Sequence, residues 1–182
     1  MTIACLGWGS LIWDTAHKYP LPVDGDWEND GPDVPVEFAR QSDNGRMTLV
    51  LVSGVKPVPS LWVRLKTADM AAAKEALRLR EGPTNIANIG FWTVGQEPPA
   101  LIPDLVMWAK AKGLDGVVWT ALGARFNNDL RTPSVDDVVA YLRSLGGQEK
   151  ALAEEYVRKA PRQTATTYRA AIERELGWTS RE

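Results

Sequence analysis

The sequence predicts an α+β fold, and three observations carry that expectation. Apolar runs of strand length fill roughly the first two-thirds of the 182 residues; helix-capping signals with a 3.6-residue apolar period fill the rest. No low-complexity or Ser/Gly-rich linker divides the chain, so residues 1–182 read as a single domain. Residues 1–125 would form its core and 126–182 a helical extension packed on it.

Apolar residues make up 45% and charged residues 24%, as in ordinary globular proteins. The net charge of −2 gives no electrostatic reason to expect nucleic acid or an anionic membrane as a partner. Cys5 is the only cysteine, which excludes an internal disulfide and suits a reducing compartment. No apolar run approaches the length of a membrane span, and the N-terminus lacks the pattern of a secretory signal. A cytoplasmic protein is expected. The eight tryptophans are scattered without a period, and serve either as core and pocket-rim packing or as a stacking platform.

Ile3-Ala4-Cys5-Leu6 fits a buried strand that stops at Gly7-Trp8-Gly9 and gives way to Ser10-Leu11-Ile12-Trp13. Glycines at 7 and 9 would permit positive φ and close approach, so successive N–H groups could point at one anion. Residues 14–35 carry four prolines, two glycines and many acids, which argues for a long surface loop. Val36–Arg40, Met47–Val52 and Leu61–Lys66 then read as strands of one curved, mostly antiparallel sheet shared with the first strand. The first and third alternate apolar with polar residues, and Asp43-Asn44-Gly45 supplies a hairpin turn.

Asp69 caps a helix running to about Arg80, with Met70, Ala73 and Leu77 on one face. Gly82 ends it and Pro83 blocks its continuation. Ile89–Val94 reads as a strand, Ile102–Lys112 as a helix closed by Gly113, and Asp115–Ala121 as a last core strand. Ser134 and Asp137 form an acidic capping box for a helix bearing Val138, Tyr141, Leu142 and Leu145, which Gly146-Gly147 closes. Helices over about Lys150–Lys159, stopped by Pro161, and Thr167–Leu176, capped by Gly177, complete the chain.

The glycine loop fails several familiar templates. It has Ile12 where the dinucleotide fingerprint needs its third glycine, no Gly-Lys-Ser/Thr ending follows, and Ser10 lacks the flanking glycines of a nucleophile elbow. A pair of Ser10 with His17, the only histidine, stands against a lone exposed loop histidine. Asp26 to Glu37 imitates a calcium loop, but prolines replace the flanking helices and Glu28 sits at the third position. One Cys and one His exclude a thiolate or imidazole metal centre. No metal or cofactor is therefore expected.

Backbone donors in the loop and acids able to act as bases survive: Asp14, Glu37, Glu75, Glu81 and Glu97. A general base working near neutral pH needs a partly buried position away from compensating cations. Glu75 fits a solvated helix face. Glu81, between a helix end and a Gly-Pro turn, either points inward as such a base or is a surface acid balanced by Arg78 or Arg80.

Four stretches together resemble the γ-glutamylcyclotransferase-like superfamily. They are the aromatic-Gly-Ser-Leu loop Trp8-Gly9-Ser10-Leu11, the sheet that follows it, Leu77-Arg78-Leu79-Arg80-Glu81-Gly82 leading to a key glutamate, and the aromatic strand Gly90-Phe91-Trp92. Phe38-Ala39-Arg40-Gln41-Ser42 with Gly45-Arg46-Met47-Thr48-Leu49 is similar to the arm of the ChaC-type branch. The resemblance covers roughly residues 1–125. It implies a small mixed β-barrel with peripheral helices, and a γ-glutamyl compound as a small-molecule partner. The implied chemistry is intramolecular aminolysis releasing an amine and 5-oxoproline, with Glu81 as general acid/base. Trp8, Gly9, Ser10 and Leu11 would cradle the substrate and Arg40 would pair with its carboxylate. The alternative is a non-catalytic module binding a small molecule or a protein on the same scaffold. The chain departs from the family pattern in having Trp8 in place of the usual tyrosine, and in the length of its acidic loop.

Overall fold

In the computed structural model, which describes residues 1–82 and 85–181, nine strands and five helices follow one another as β1 (Ile3–Gly7), β2 (Val23–Glu28), β3 (Asp33–Val34), β4 (Val36–Gln41), β5 (Met47–Leu51), β6 (Val58–Pro59), β7 (Leu61–Leu65), α1 (Met70–Arg80), β8 (Ile89–Thr93), α2 (Leu105–Ala111), β9 (Gly116–Thr120), α3 (Val135–Ser144), α4 (Gly147–Lys159) and α5 (Thr167–Leu176). The fold is mixed α+β. Two compact units share the chain: one comprises Met1–Gly7, Asp14–Val34 and Pro59–Leu122, the other Trp8–Trp13, Pro35–Val58 and Gly123–Glu182.

The first unit is built on a five-stranded mixed sheet in the order β2-β7-β1-β9-β8. β1 lies at its centre because it is apolar throughout and buried along its whole length. It pairs antiparallel with β7 and parallel with β9. β2, from the Pro-rich stretch expected to be loop throughout, adds as an irregular edge strand, the position that tolerates such a composition. α1 packs on β9 and β8 through Ala73 and Leu77. Asp69 caps this helix by accepting the Ala71 amide at 2.9 Å. Glu81 closes it, donating its N–H to the Leu77 carbonyl, and Gly82 takes the left-handed turn at φ 92°. The stop expected from Pro83 lies outside the described residues.

The acidic segment is pinned within this unit. Asp30 accepts the Lys112 ammonium at 2.5 Å and the indole N–H of Trp62 at 2.8 Å, which together hold its carboxyl below the usual range. Its carbonyl accepts the Trp108 N–H at 2.9 Å. A Cβ on Gly31 would fall 2.6 Å from the Ser60 carbonyl oxygen, so Gly31 answers a close backbone approach.

In the second unit β4 and β5 pair as their own antiparallel hairpin, closed as expected at Asp43-Asn44-Gly45 with Gly45 at φ 81°. β4, β5 and β7 therefore do not share one sheet: β7 belongs with β1, because its alternating face completes the five-stranded sheet. Among the described residues no closed barrel forms; the larger sheet is open, with β2 and β8 as its edges. α5 packs on β4, α4 on β5, and α3 on α5. Ser134 and Asp137 make the reciprocal capping box. Gly147 opens α4 instead of closing α3, which ends at Ser144.

Arg169, 3% exposed, caps the end of α4. Its guanidinium donates to the carbonyls of Ala160 at 3.0 Å and Pro161 at 2.6 Å, while Nε reaches Glu173. Five of the tryptophans, at 8, 62, 92, 119 and 178, are buried, which favours packing over an exposed stacking platform.

Candidate active site

Glu81 is half-buried at the end of α1 in the first unit. Beside it in sequence Arg80 is buried, its Nη2 3.3 Å from the Asp14 carbonyl oxygen and 3.4 Å from the Asp14 carboxylate. Arg78 pairs with Glu75 at 2.6 Å on an exposed helix face, so Glu75 is the solvated acid its position predicted.

Cys5, fully buried in β1, reports on Glu81. Burial pushes its thiol pKa up, the charge of Glu81 pushes it further, and Arg80 opposes both. A thiol held protonated in this way is a small apolar filler and not a nucleophile.

The turn itself belongs to the second unit. Its Ile12 amide donates to the Gly9 carbonyl at 3.1 Å, and among the described residues the amides of Gly9 and Leu11 donate to nothing. Trp8 is core, 5% exposed, with its indole N–H on the Leu49 carbonyl at 3.3 Å. Gly9 does not adopt positive φ, and Gly7 is an extended strand residue. Glycine at position 9 has another cause: a Cβ there would sit 2.6 Å from the Tyr156 hydroxyl, which accepts the Leu49 amide at 3.2 Å. Trp13 meets the Tyr156 ring edge-on at 5.3 Å. Ser10 and Leu11 are half-buried.

Arg40 lies on β4 in the same unit and donates to the Gly123 carbonyl at 2.9 Å. Partial burial and the neighbouring Arg125 hold its pKa below the usual arginine value.

Of the other candidates Glu97 is exposed, while Glu37, His17 and Asp30 make local or packing contacts. Glu37, expected on the polar side of an alternating strand, is 1% exposed. It accepts the Thr166 hydroxyl, and the Tyr168 amide at 3.1 Å, at the N-terminus of α5. His17 accepts the Tyr19 amide at 3.1 Å through Nδ1. Asp30 and Gly31 of the calcium-like segment are committed to Trp62, Lys112 and Ser60. Sequence reasoning missed Arg125 and Arg169, since neither sits in a local motif; the only signal near Arg125 was the turn-forming Asn127-Asn128. No family model and no curated protein matches the chain.

Proposed function

We propose that the protein cleaves γ-glutamyl amides by intramolecular aminolysis. The substrate's α-amine attacks its own γ-carbonyl carbon, the new C–N bond closes 5-oxoproline, and the original amide bond breaks to release an amine. An ammonium has no lone pair for this attack, so Glu81 takes a proton from it and returns one to the leaving nitrogen. The amides of Gly9, Ser10 and Leu11 hold the carboxylate or the oxyanion, where one lost donor typically costs about 3 kcal/mol. Arg40 pairs with a substrate carboxylate. Assignment to the small-barrel superfamily, a cytoplasmic location and independence from cofactor, nucleic acid and membrane belong to the same reading.

The observation that carries it is the half-buried position of Glu81 at the C-terminal end of α1. The decisive assay measures 5-oxoproline released from glutathione and a panel of γ-glutamyl amines. Glu81→Gln should lower turnover by about 10²-fold or more with the fold intact. Unchanged turnover in that variant, or no product across the panel, overturns the proposal.

One observation favours a second reading, a binding module without chemistry. Trp8 and Gly9 are accounted for by packing against Leu49 and Tyr156. On that reading the turn is a structural joint, and the 5-oxoproline assay stays blank while small acids still bind.

A further inference from the structure

Arg40 and Arg125 stand side by side in the second unit. A parallel bridge joins them: the Gln41 amide donates to the Arg125 carbonyl at 2.8 Å, and the Arg125 amide to the Ala39 carbonyl at 3.1 Å. Residues bridged in this way send their side chains to the same face. Two like charges are thereby set beside each other, an arrangement that costs stability unless something compensates it. The structure supplies little compensation. Asp43 approaches Arg125 only to 3.6 Å, and its side chain is 95% exposed, so the pair is weak.

Arg125 opens into a pocket of about 460 Å³ whose remaining lining is wholly polar: Gln41, Ser42, Asp43, Asn127 and Asn128. Arg40 stands beside this lining and adds a second positive charge. Asn127 and Asn128 form a two-residue turn, with φ of 51° and 67° and paired Phe126–Asp129 backbone hydrogen bonds of 2.9 and 3.0 Å. The turn is anchored by the Asn127 amide on the Gln41 side-chain oxygen at 2.9 Å. It orients Arg125 through the Asn128 side-chain oxygen at 3.2 Å from Nη2. The guanidinium is thus held at Nη2, and Nη1 lies 3.6 Å from Asp43, another residue of the lining.

We propose that this pocket binds the oxyanion group, carboxylate or phosphate, of a small polar molecule, with Arg125 as the fork and Arg40 as the supporting charge. A planar guanidinium matches two oxygens of either group, and the polar lining offers an apolar ligand little to bury against. Desolvation by the protein and repulsion from Arg125 both weaken the hold of Arg40 on its proton, and a bound anion relieves that repulsion. The site shares Arg40 with the proposed substrate contact but not Glu81, and anion binding is read without turnover, so a failure of Glu81 catalysis and a failure of this site are distinguishable.

The test is an amide-detected NMR titration of the full chain with inorganic phosphate, and separately with acetate, each against sodium chloride at matched ionic strength. Saturable shifts confined to residues 41–43 and 123–128 are expected. The anion that binds more tightly identifies the group. Arg125→Gln should weaken binding at least about tenfold, with Arg125→Lys between it and the parent. Asp43→Asn, at an exposed site that leaves the fold intact, should tighten binding because it removes a competing carboxylate. Shifts no larger than chloride produces, affinity unchanged in Arg125→Gln, or weaker binding in Asp43→Asn would overturn the assignment.

Discussion

A hydroxyl against a missing side chain decides what Gly9 does. The Tyr156 oxygen fills the space a Cβ would take, at 2.6 Å, while holding the Leu49 amide. Gly9→Ala should therefore destabilise the protein by about 1–3 kcal/mol through overpacking. Tyr156→Phe should cost a similar amount, about 1–3 kcal/mol, by leaving a buried N–H unpaired. In the double variant the absent oxygen makes room for the new methyl group. Denaturant unfolding of all four proteins should then give a combined cost smaller than the sum by at least about 0.5 kcal/mol. Strict additivity would mean that Gly9 serves the turn and not the tyrosine. The motif residue was visible in the sequence; its reason was not, because Tyr156 comes from a helix far along the chain and no local pattern announces such an approach.

Helix α5 and strand β4 are joined by one buried carboxylate. Glu37 takes the Thr166 hydroxyl and the amides of Phe38 and Tyr168, yet burial dominates and raises its pKa above the ordinary 4.5. A folded-state pKa above the unfolded one means that the native protein binds the proton more tightly. The Glu37 contribution is thus fully present below about pH 4.5 and is lost as pH rises through its folded value. Glu37→Gln cannot titrate, and its amide turns a donor toward backbone donors. It should be less stable throughout by about 1–3 kcal/mol. The gap between parent and variant in denaturant midpoint should be widest at low pH and shrink as pH rises; a gap that widens would refute this account. α5 itself was legible residue by residue, from Thr167 to Leu176, because caps and the Gly177 terminator are local signals. The inward turn of Glu37 was not, since alternation along β4 predicts a polar face and the covering helix lies more than a hundred residues away.

Across the whole chain, hairpins and capped helices were readable because their partners are neighbours in sequence, whereas sheet order was not. β4 and β5 announce their turn in Asp43-Asn44-Gly45, but nothing near β1 says that it will pair with β7 on one side and β9 on the other. Those long-range pairings make β1 the centre of the first unit, and burial along all five of its residues leaves it no exposed face. Local opening is costliest where a strand is hydrogen-bonded on both sides and covered on both faces, and cheapest at irregular edges. Native-state hydrogen exchange should therefore find the slowest amides in β1, with those of β7 and β9 that point toward it close behind. The amides of β2 should exchange fastest in this sheet, because its register slips between Asp24 and Glu28 and most of its side chains are exposed. Protection in β2 equal to that in β1 would mean that the acidic segment, pinned at Asp30 by Trp62, Trp108 and Lys112, is an integral part of the core and not an elaboration laid on its edge.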